Sequence, residues 1–255
     1  NWVASTAATT LNGLTDVLIQ GNSYYIGTIP AGLSGAPDTN LTIGSAGTAL
    51  TTGDKNILIG STAGNLITTG GRNIALGGNS LSVQVAGQAN VAIGTSALDS
   101  QVSGSNNTAV GDSAGSTVTT GQNNTMLGED SGQVLTTGSN NVYIGNDSRA
   151  SGIAVSNEIA IGSGAVGQGT NSVTLGTAAT TLITGVNNGN IDLGSTNRKF
   201  KDVYLNTGRI LTGNMSAPPA SATSSGTIGT ILFTTAHIYV CTAANTWKRV
   251  AIATF

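Results

Sequence analysis

Four carboxylates stand where they could act in pairs. Asp112 and Glu129 are 17 apart in the chain, and so are Asp130 and Asp147. Because the chain repeats with that same period, each pair stacks on adjacent turns. Neighbouring carboxylates raise one another's pKa or hold a cation, and a carboxylate pair is also what polysaccharide cleavage requires. In the repeat alignment no aromatic or basic residue converges on this corner, whose surroundings are Ser, Gly and Asn. The four acids therefore read as a solvated corner that tolerates charge, and no catalytic residue or metal ligand is assigned. Lys55 and Arg72, again 17 apart, read as surface charge before they read as a site for an anionic glycan. Trp247, Tyr239 and Lys248 have the residue types of a sugar platform and form the candidate receptor-binding set, although Trp247 lies in an apolar-rich strand that suits core packing. His237 and Cys241 are the sole residues of their types. One Cys excludes an intramolecular disulfide and a Cys-based metal cluster, and one His excludes a multi-histidine centre, so both read as core or rim residues and no cofactor is expected.

The elements that must position these residues follow from composition and repeat. Of 255 residues, 37 are Gly, 8% are charged and 4% aromatic, while 38% are hydrophobic. Solubility at that charge content must come from Asn, Ser, Thr and exposed backbone. A net charge of -2 offers no field for phosphates, which excludes nucleic acid as a partner. No run approaches the roughly 20 apolar residues that span a bilayer, so no membrane insertion is expected. The opening Asn1-Trp2-Val3 reads as the start of an ordered or processed segment.

Glycines end short apolar runs at Gly27, Gly44, Gly60, Gly77, Gly94, Gly111, Gly128, Gly145 and Gly162, every step being 17 except one of 16. A second series, Gly53, Gly70, Gly87, Gly104, Gly121 and Gly138, keeps the same step. Ahead of the first series come aliphatics such as Ile59, Leu76 and Ile93, and two places earlier Ile57, Ile74 and Val91. That spacing puts both sets on one face of a strand. Between them lie mostly small residues, among them Ala75, Ala92 and Ala109, which suit a second face pressed against another surface. A shorter second strand is expected at Leu50, Ile67, Val118 and Leu135. Two strands and two turns in so short a repeat leave no room for a helix, so the fold is all-β, a β-solenoid whose coils pair with those above and below. Asn40, Asn56, Asn73, Asn90, Asn107, Asn124 and Asn141 precede the main strands and can bond into an amide ladder along the axis. The coil from Ser163 to Gly176 is shorter than the others, and Asn190–Gly194 reads as a last degenerate strand. Because so short a coil encloses little core, the small-residue face suggests burial against neighbouring chains, hence a homotrimer.

The segment Asn157–Gly176, NEIAIGSGAVGQGTNSVTLG, resembles the left-handed parallel β-roll head repeat of trimeric autotransporter adhesins. Longer repeats such as Asn106–Gly121, NNTAVGDSAGSTVTTG, resemble a variant found in tail-fibre and other virion appendage proteins. Gly194–Leu205, Ala217–Phe233 and His237–Ile252 resemble closing modules of bacteriophage structural and tail-fibre proteins. Neither a heptad stalk nor membrane-anchor strands are evident, so the resemblance favours a phage virion fibre. It implies a left-handed, trimeric β-roll of about ten coils in residues 23–176, between a connector (1–22) and a neck (177–216), with a β closing domain at 217–255. Strands are expected there at Ile228–Phe233, Ile238–Cys241 and Trp247–Ile252, capping the open solenoid end. The function implied is a non-enzymatic structural fibre on the virion surface that supports or mediates host attachment. Its partners would be other virion proteins and a host-surface glycan or protein. The alternatives are a fibre-borne polysaccharide depolymerase using the stacked acids, and a bacterial trimeric surface adhesin.

Overall fold

The computed structural model describes residues 17–20, 22–27, 39–177, 179, 219–225, 231–233 and 237–251. The chain forms two compact units, Asn1–Ile183 and Thr184–Phe255. The expected strand at Asn190–Gly194 lies outside the described residues. Among those residues there is no helix.

In the first unit, eleven strands stack in strict chain order. They are β1 (Val17–Gln20), β2 (Ser23–Gly27), β3 (Leu41–Gly44), β4 (Ile57–Ile59), β5 (Ile74–Leu76), β6 (Val91–Ile93), β7 (Thr108–Val110), β8 (Thr125–Leu127), β9 (Val142–Ile144), β10 (Ile159–Ile161) and β11 (Val173–Leu175). β1 and β2 form an antiparallel hairpin in which Val17 pairs with Ile26. From β2 onward every pairing is parallel and in register, as in Ile57 with Ile74 and Ile74 with Val91. The molecule is therefore a parallel β-solenoid, as the repeat predicts.

Most of the corners that end the strands need glycine for two separate reasons. At Gly94, φ is +134° and an added Cβ would lie 2.2 Å from the carbonyl oxygen of Gly111 on the next coil. Coil stacking and a left-handed backbone thus both exclude a side chain there.

The strand faces are arranged the other way round from the expectation. The middle residues, Leu58, Ala75, Ala92, Ala109, Met126, Tyr143 and Ala160, are fully buried and form the core, while the flanking aliphatics face outward. Ile57 is 39% exposed, Leu76 43% and Leu127 45%. The reason is volume. So short a coil encloses a thin interior, and its short strand can send only the central side chain into it. Within that interior, size is traded between columns. Cβ atoms added at Gly47 and Gly64 would each lie under 3.0 Å from Leu58, and at Gly115 and Gly132 under 3.0 Å from Met126. Where the glycine column instead carries Leu81 and Leu98, both fully buried, the strand centres shrink to Ala75 and Ala92. At Gly115 the space is filled from the coils on either side, by Leu98 and Met126.

The expected second strand does not form. Leu50, Ile67, Val118 and Leu135 are fully buried but lie in turn-rich segments that include no extended strand. Their backbone is nonetheless satisfied coil to coil, as in Thr51 N to Thr68 O at 3.0 Å, Thr68 N to Val85 O at 3.0 Å and Thr119 N to Thr136 O at 2.9 Å. Two further members of the same column are polar: Gln84 and Gln101 are fully buried.

The asparagine ladder is present, and each amide makes two bonds per coil. Asn73 Oδ1 accepts from the backbone N–H of Asn90 at 3.0 Å, while Asn73 Nδ2 donates to Gly87 O at 3.0 Å. The same pair of bonds recurs at Asn56, Asn107 and Asn124. Each amide thus replaces two backbone partners that the corner would otherwise leave buried and unpaired.

In the second unit β12 (Ile231–Phe233), β13 (His237–Ala243) and β14 (Thr246–Ala251) form an antiparallel sheet in chain order. β13 and β14 each begin one residue earlier than expected, while Ile228–Thr230 and Ile252 of the expected strands lie outside the described residues. β13 runs on through Ala243 to a tight turn at Ala244-Asn245, where Asn245 takes φ +54°. That conformation is one Asn tolerates.

Candidate functional site

The acidic corner follows from local backbone geometry. Asp130 and Asp147 both sit at φ +54°, a left-handed position at which Asp is among the tolerated residues. Equivalent places on other coils are Asn79, Ser96 and Ser113. Stacking aligns the acids: Asp130 N donates to Asp112 O at 2.9 Å, and Asp147 N to Glu129 O at 2.8 Å. Asp112 and Glu129 are exposed side by side on adjacent coils. Asn146, one coil further, donates from Nδ2 to Glu129 Oε2 at 3.3 Å.

The structure also brings a basic residue to this corner, which the repeat alignment did not show. Arg149 Nη2 pairs with Asp147 at 2.5 Å. Among the described residues no group of three or more His, Cys, Asp or Glu could hold a metal ion.

Lys55 and Arg72 occupy another left-handed column, at φ +58° and +62°, which later coils fill with Asn106, Asn123, Asn140 and Asn157. Lys55 pairs with its neighbour Asp54 at 2.5 Å, and that hydrogen bond holds the Asp54 carboxyl below its ordinary range. Arg72, one coil on, adds its charge to that effect and donates from its backbone N–H to Asp54 O at 2.9 Å, so both cations bear on Asp54.

One buried acid was not anticipated. Glu158 falls one repeat after Asn141, at the ladder position, and is fully buried. Its backbone N–H still bonds Asn141 Oδ1 at 2.8 Å, but its carboxylate turns to new donors. Tyr143 Oη donates to Oε2 at 2.8 Å, Ser151 N to Oε2 at 3.2 Å, Ser151 Oγ to Oε1 at 2.6 Å and Gly169 N to Oε1 at 2.7 Å. Gly167 makes the room, since a Cβ there would lie 2.0 Å from Glu158 Cδ. Burial pushes this carboxyl up, yet the hydrogen bonds from Ser151, Gly169 and Tyr143 together outweigh it and hold the carboxyl below its ordinary range. Burial, then the bond to Glu158, push the Tyr143 phenol far up. The pair is a protonated donor on an ionised acceptor, sealed from solvent, so it is structural. The signal was available: counting one repeat on from Asn141 lands on the one acid in the asparagine column.

Tyr239, Trp247 and Lys248 are brought together in the second unit. With Pro219, Ala220, Ser221, Ala222 and Arg249 they line a cavity of about 320 Å³. Tyr239, Cys241 and Trp247 form a small buried cluster. The segment that crosses it is tied to Trp247: Trp247 Nε1 donates to Ser224 O at 3.0 Å and Trp247 N to Ala222 O at 2.9 Å. Trp247 is thus both core and cavity wall. Cys241 is buried and donates from Sγ to Ala243 O at 3.1 Å. His237 lies against Tyr239, with ring centroids 5.7 Å apart.

Comparison with known proteins gives a short but specific likeness. No family model matches the chain, and no solved structure matches it. Depolymerase 1, capsule K30/K69-specific, of Klebsiella phage K5-2 is 50% identical over 48 residues, which is 19% of this chain and 6% of that protein. Depolymerase, capsule K30/K69-specific, of Klebsiella phage K64-1 is 48% identical over 48 residues, again 19% of this chain and 6% of the relative. The match thus spans only a small part of each relative's length. Both are phage proteins, which agrees with the phage side of the resemblance and adds nothing to the likeness to adhesin heads. Both are also named as enzymes, and this overturns the expectation of a non-enzymatic fibre: the chain is a parallel β-solenoid with a short similarity to capsule-specific phage depolymerases.

Proposed function

We propose that the chain is part of a virion-borne phage depolymerase that cleaves a bacterial capsular polysaccharide. The observation that carries this reading is the near-50% identity to two capsule-specific depolymerases. Asp112 and Glu129 are the carboxylate pair that suits the chemistry. They are exposed on adjacent coils, and parallel strands lie about 4.8 Å apart. That spacing is close to the roughly 5–5.5 Å between the carboxyls of retaining glycosidases. In this reading Glu129, oriented by Asn146, attacks the anomeric carbon, and Asp112 gives its proton to the departing glycosidic oxygen. Water, deprotonated by Asp112, then releases the glycosyl group from Glu129.

The scaffold supports a homotrimer. Ile57, Leu76, Leu127, Ile161 and Leu175 all turn outward and are between 37% and 50% exposed, which leaves an aliphatic stripe along the coils. Monomers rarely leave so continuous an apolar patch open. Three chains packed on it would present each polysaccharide contact three times.

The test is to incubate the purified chain with capsular polysaccharide of type K30 or K69 and follow its size by gel filtration. Wild type should shorten the polymer, and Asp112→Asn or Glu129→Gln should each slow cleavage by at least about 100-fold, the low end of what a general acid–base group contributes. Intact polymer after exposure to the wild-type trimer, or full activity in both variants, would refute the assignment.

A further inference from the structure

We propose that the cavity in the second unit is a binding site for a sugar that carries a carboxylate, with Arg249 as the residue that recognises the charge. Charge is divided unevenly along this chain. From Thr184 onward there are six Lys and Arg against two Asp and no Glu, whereas residues 1–183 carry three against nine. A slightly acidic protein thus has a basic C-terminal part. Within the described residues of that part, the two cations Lys248 and Arg249 both line the cavity, and no acid does. Neither forms an ion pair with a described residue.

Strand register decides between them. Arg249 stands directly opposite Tyr239, and Trp247 opposite Cys241. Side chains two apart on a strand share a face, so the guanidinium lies on the face of Tyr239 and Trp247, while Lys248 alternates to the face of Val240. A planar fork beside two aromatic side chains is the arrangement that fits a carboxylated pyranose. The aromatic walls take the apolar C–H face of the ring, and the guanidinium takes the carboxylate in a bidentate, charge-assisted pair. The wall is also held in place before any ligand arrives, since Trp247 Nε1 is anchored on Ser224 O and Trp247 N on Ala222 O. A cavity of about 320 Å³ is at the small end of ligand sites, which suits one or two sugar units and not a helical nucleic acid.

The site belongs to a different unit from the acids of the solenoid, and its test does not depend on cleavage. A glucuronate-containing tetrasaccharide and the same oligosaccharide with its carboxyls reduced to alcohols are titrated into the full chain. Binding is read from the Trp247 indole N–H resonance, assigned in a Trp2→Phe background. The acidic sugar should shift this resonance and bind at least about tenfold tighter than the reduced one, a difference of about 1.4 kcal/mol. In Arg249→Gln, whose site of change is exposed, the two sugars should bind alike. The Asp112→Asn/Glu129→Gln chain should retain the shift, which separates this site from the proposed cleavage corner. Equal affinity for both sugars in the wild type would overturn the proposal. So would undiminished discrimination in Arg249→Gln, or no shift with either sugar up to about 10 mM, where even a millimolar site would be nearly filled.

Discussion

Glu158→Gln should open the last coils of the solenoid, although it changes one atom. Both carboxylate oxygens accept from a backbone N–H, Oε2 from Ser151 and Oε1 from Gly169, besides one hydroxyl each from Tyr143 and Ser151. A hydroxyl can rotate to accept a hydrogen bond from an amide NH2, but a backbone N–H cannot. Whichever way the substituted amide is turned, one of these two part-buried N–H groups then faces another donor. That orphan costs about 1–3 kcal/mol, and the remaining bonds lose their charge assistance, so a total of about 2–4 kcal/mol is expected. Glu158→Asn is no remedy, even though it restores the residue found at seven other coils. Each ladder amide donates to a carbonyl 13 or 14 positions on, as Asn40 does to Gly53 O and Asn141 to Val155 O. The coil after Glu158 is shorter than the rest, and what it presents to the side chain is the Gly169 N–H, which needs an acceptor and a longer reach.

Because repeat arrays lose structure locally, the assay is hydrogen exchange by mass spectrometry on peptides from Tyr143 to Leu175. At pH 7 exchange should accelerate by roughly 30- to 700-fold, the equivalent of about 2–4 kcal/mol at about 1.4 kcal/mol per decade. Peptides from Leu41 to Gly77, several coils away, should be unchanged. The pH dependence has a definite sign. The folded carboxyl lies below its unfolded value of 4.5, so its stabilisation is complete above about pH 4.5. It is lost as pH falls through the folded value, and the gap between wild type and Glu158→Gln should close in that acid range. Exchange in Glu158→Gln within threefold of wild type at pH 7, or a gap that widens on acidification, would refute the reasoning.

Gln84→Leu combined with Gln101→Leu should stabilise the middle coils by about 1–3 kcal/mol, because Gln84 Oε1 and Gln101 Nε2 are buried without a hydrogen-bond partner and Leu restores the column of Leu50 and Leu135; a lower thermal midpoint in the double variant would contradict this. Leu76→Glu with Leu127→Glu places charges on the outward stripe. The proposed trimer should then dissociate to monomer in multi-angle light scattering while the core, which these side chains do not enter, keeps its β-structure by circular dichroism.

What the sequence revealed and what it hid divide along one physical line. Stacking depends on residues that recur at fixed phase, so the parallel register, the glycine corners and the amide ladder could all be read from the repeat step. The inward face could not be read the same way. In Ile57-Leu58-Ile59 and Ile74-Ala75-Leu76 every position is apolar, and period-two alternation says which residues share a face without saying which face is inside. Volume decides that, and volume is a property of neighbouring coils together: Ala75 and Ala92 are right for the core because Leu81 and Leu98 fill it, and Leu58 is right because Gly47 and Gly64 leave it room. Arg149 escaped notice for a related reason, since it reaches Asp147 across a corner that only the folded coil defines.

The same distinction explains how a repeat this regular can carry function. Backbone stacking, amides and glycines fix the coil from within, so the exposed corner residues contribute little to its stability and are open to change. At the place before the left-handed corner, successive coils carry Thr95, Asp112, Glu129, Asn146 and Ser163 on the same stacked backbone, as the repeated bonds Asp130 N to Asp112 O and Asp147 N to Glu129 O show. Such a column can acquire two adjacent carboxylates without disturbing the core. The interior has no such freedom. Where an acid entered it, at Glu158, the coil shortened, Gly167 cleared the space, and Ser151, Gly169 and Tyr143 supplied four donors. An acid that the fold must accommodate so completely is held ionised and shut away from solvent, while acids that the fold ignores are the ones open to the cleavage proposed above.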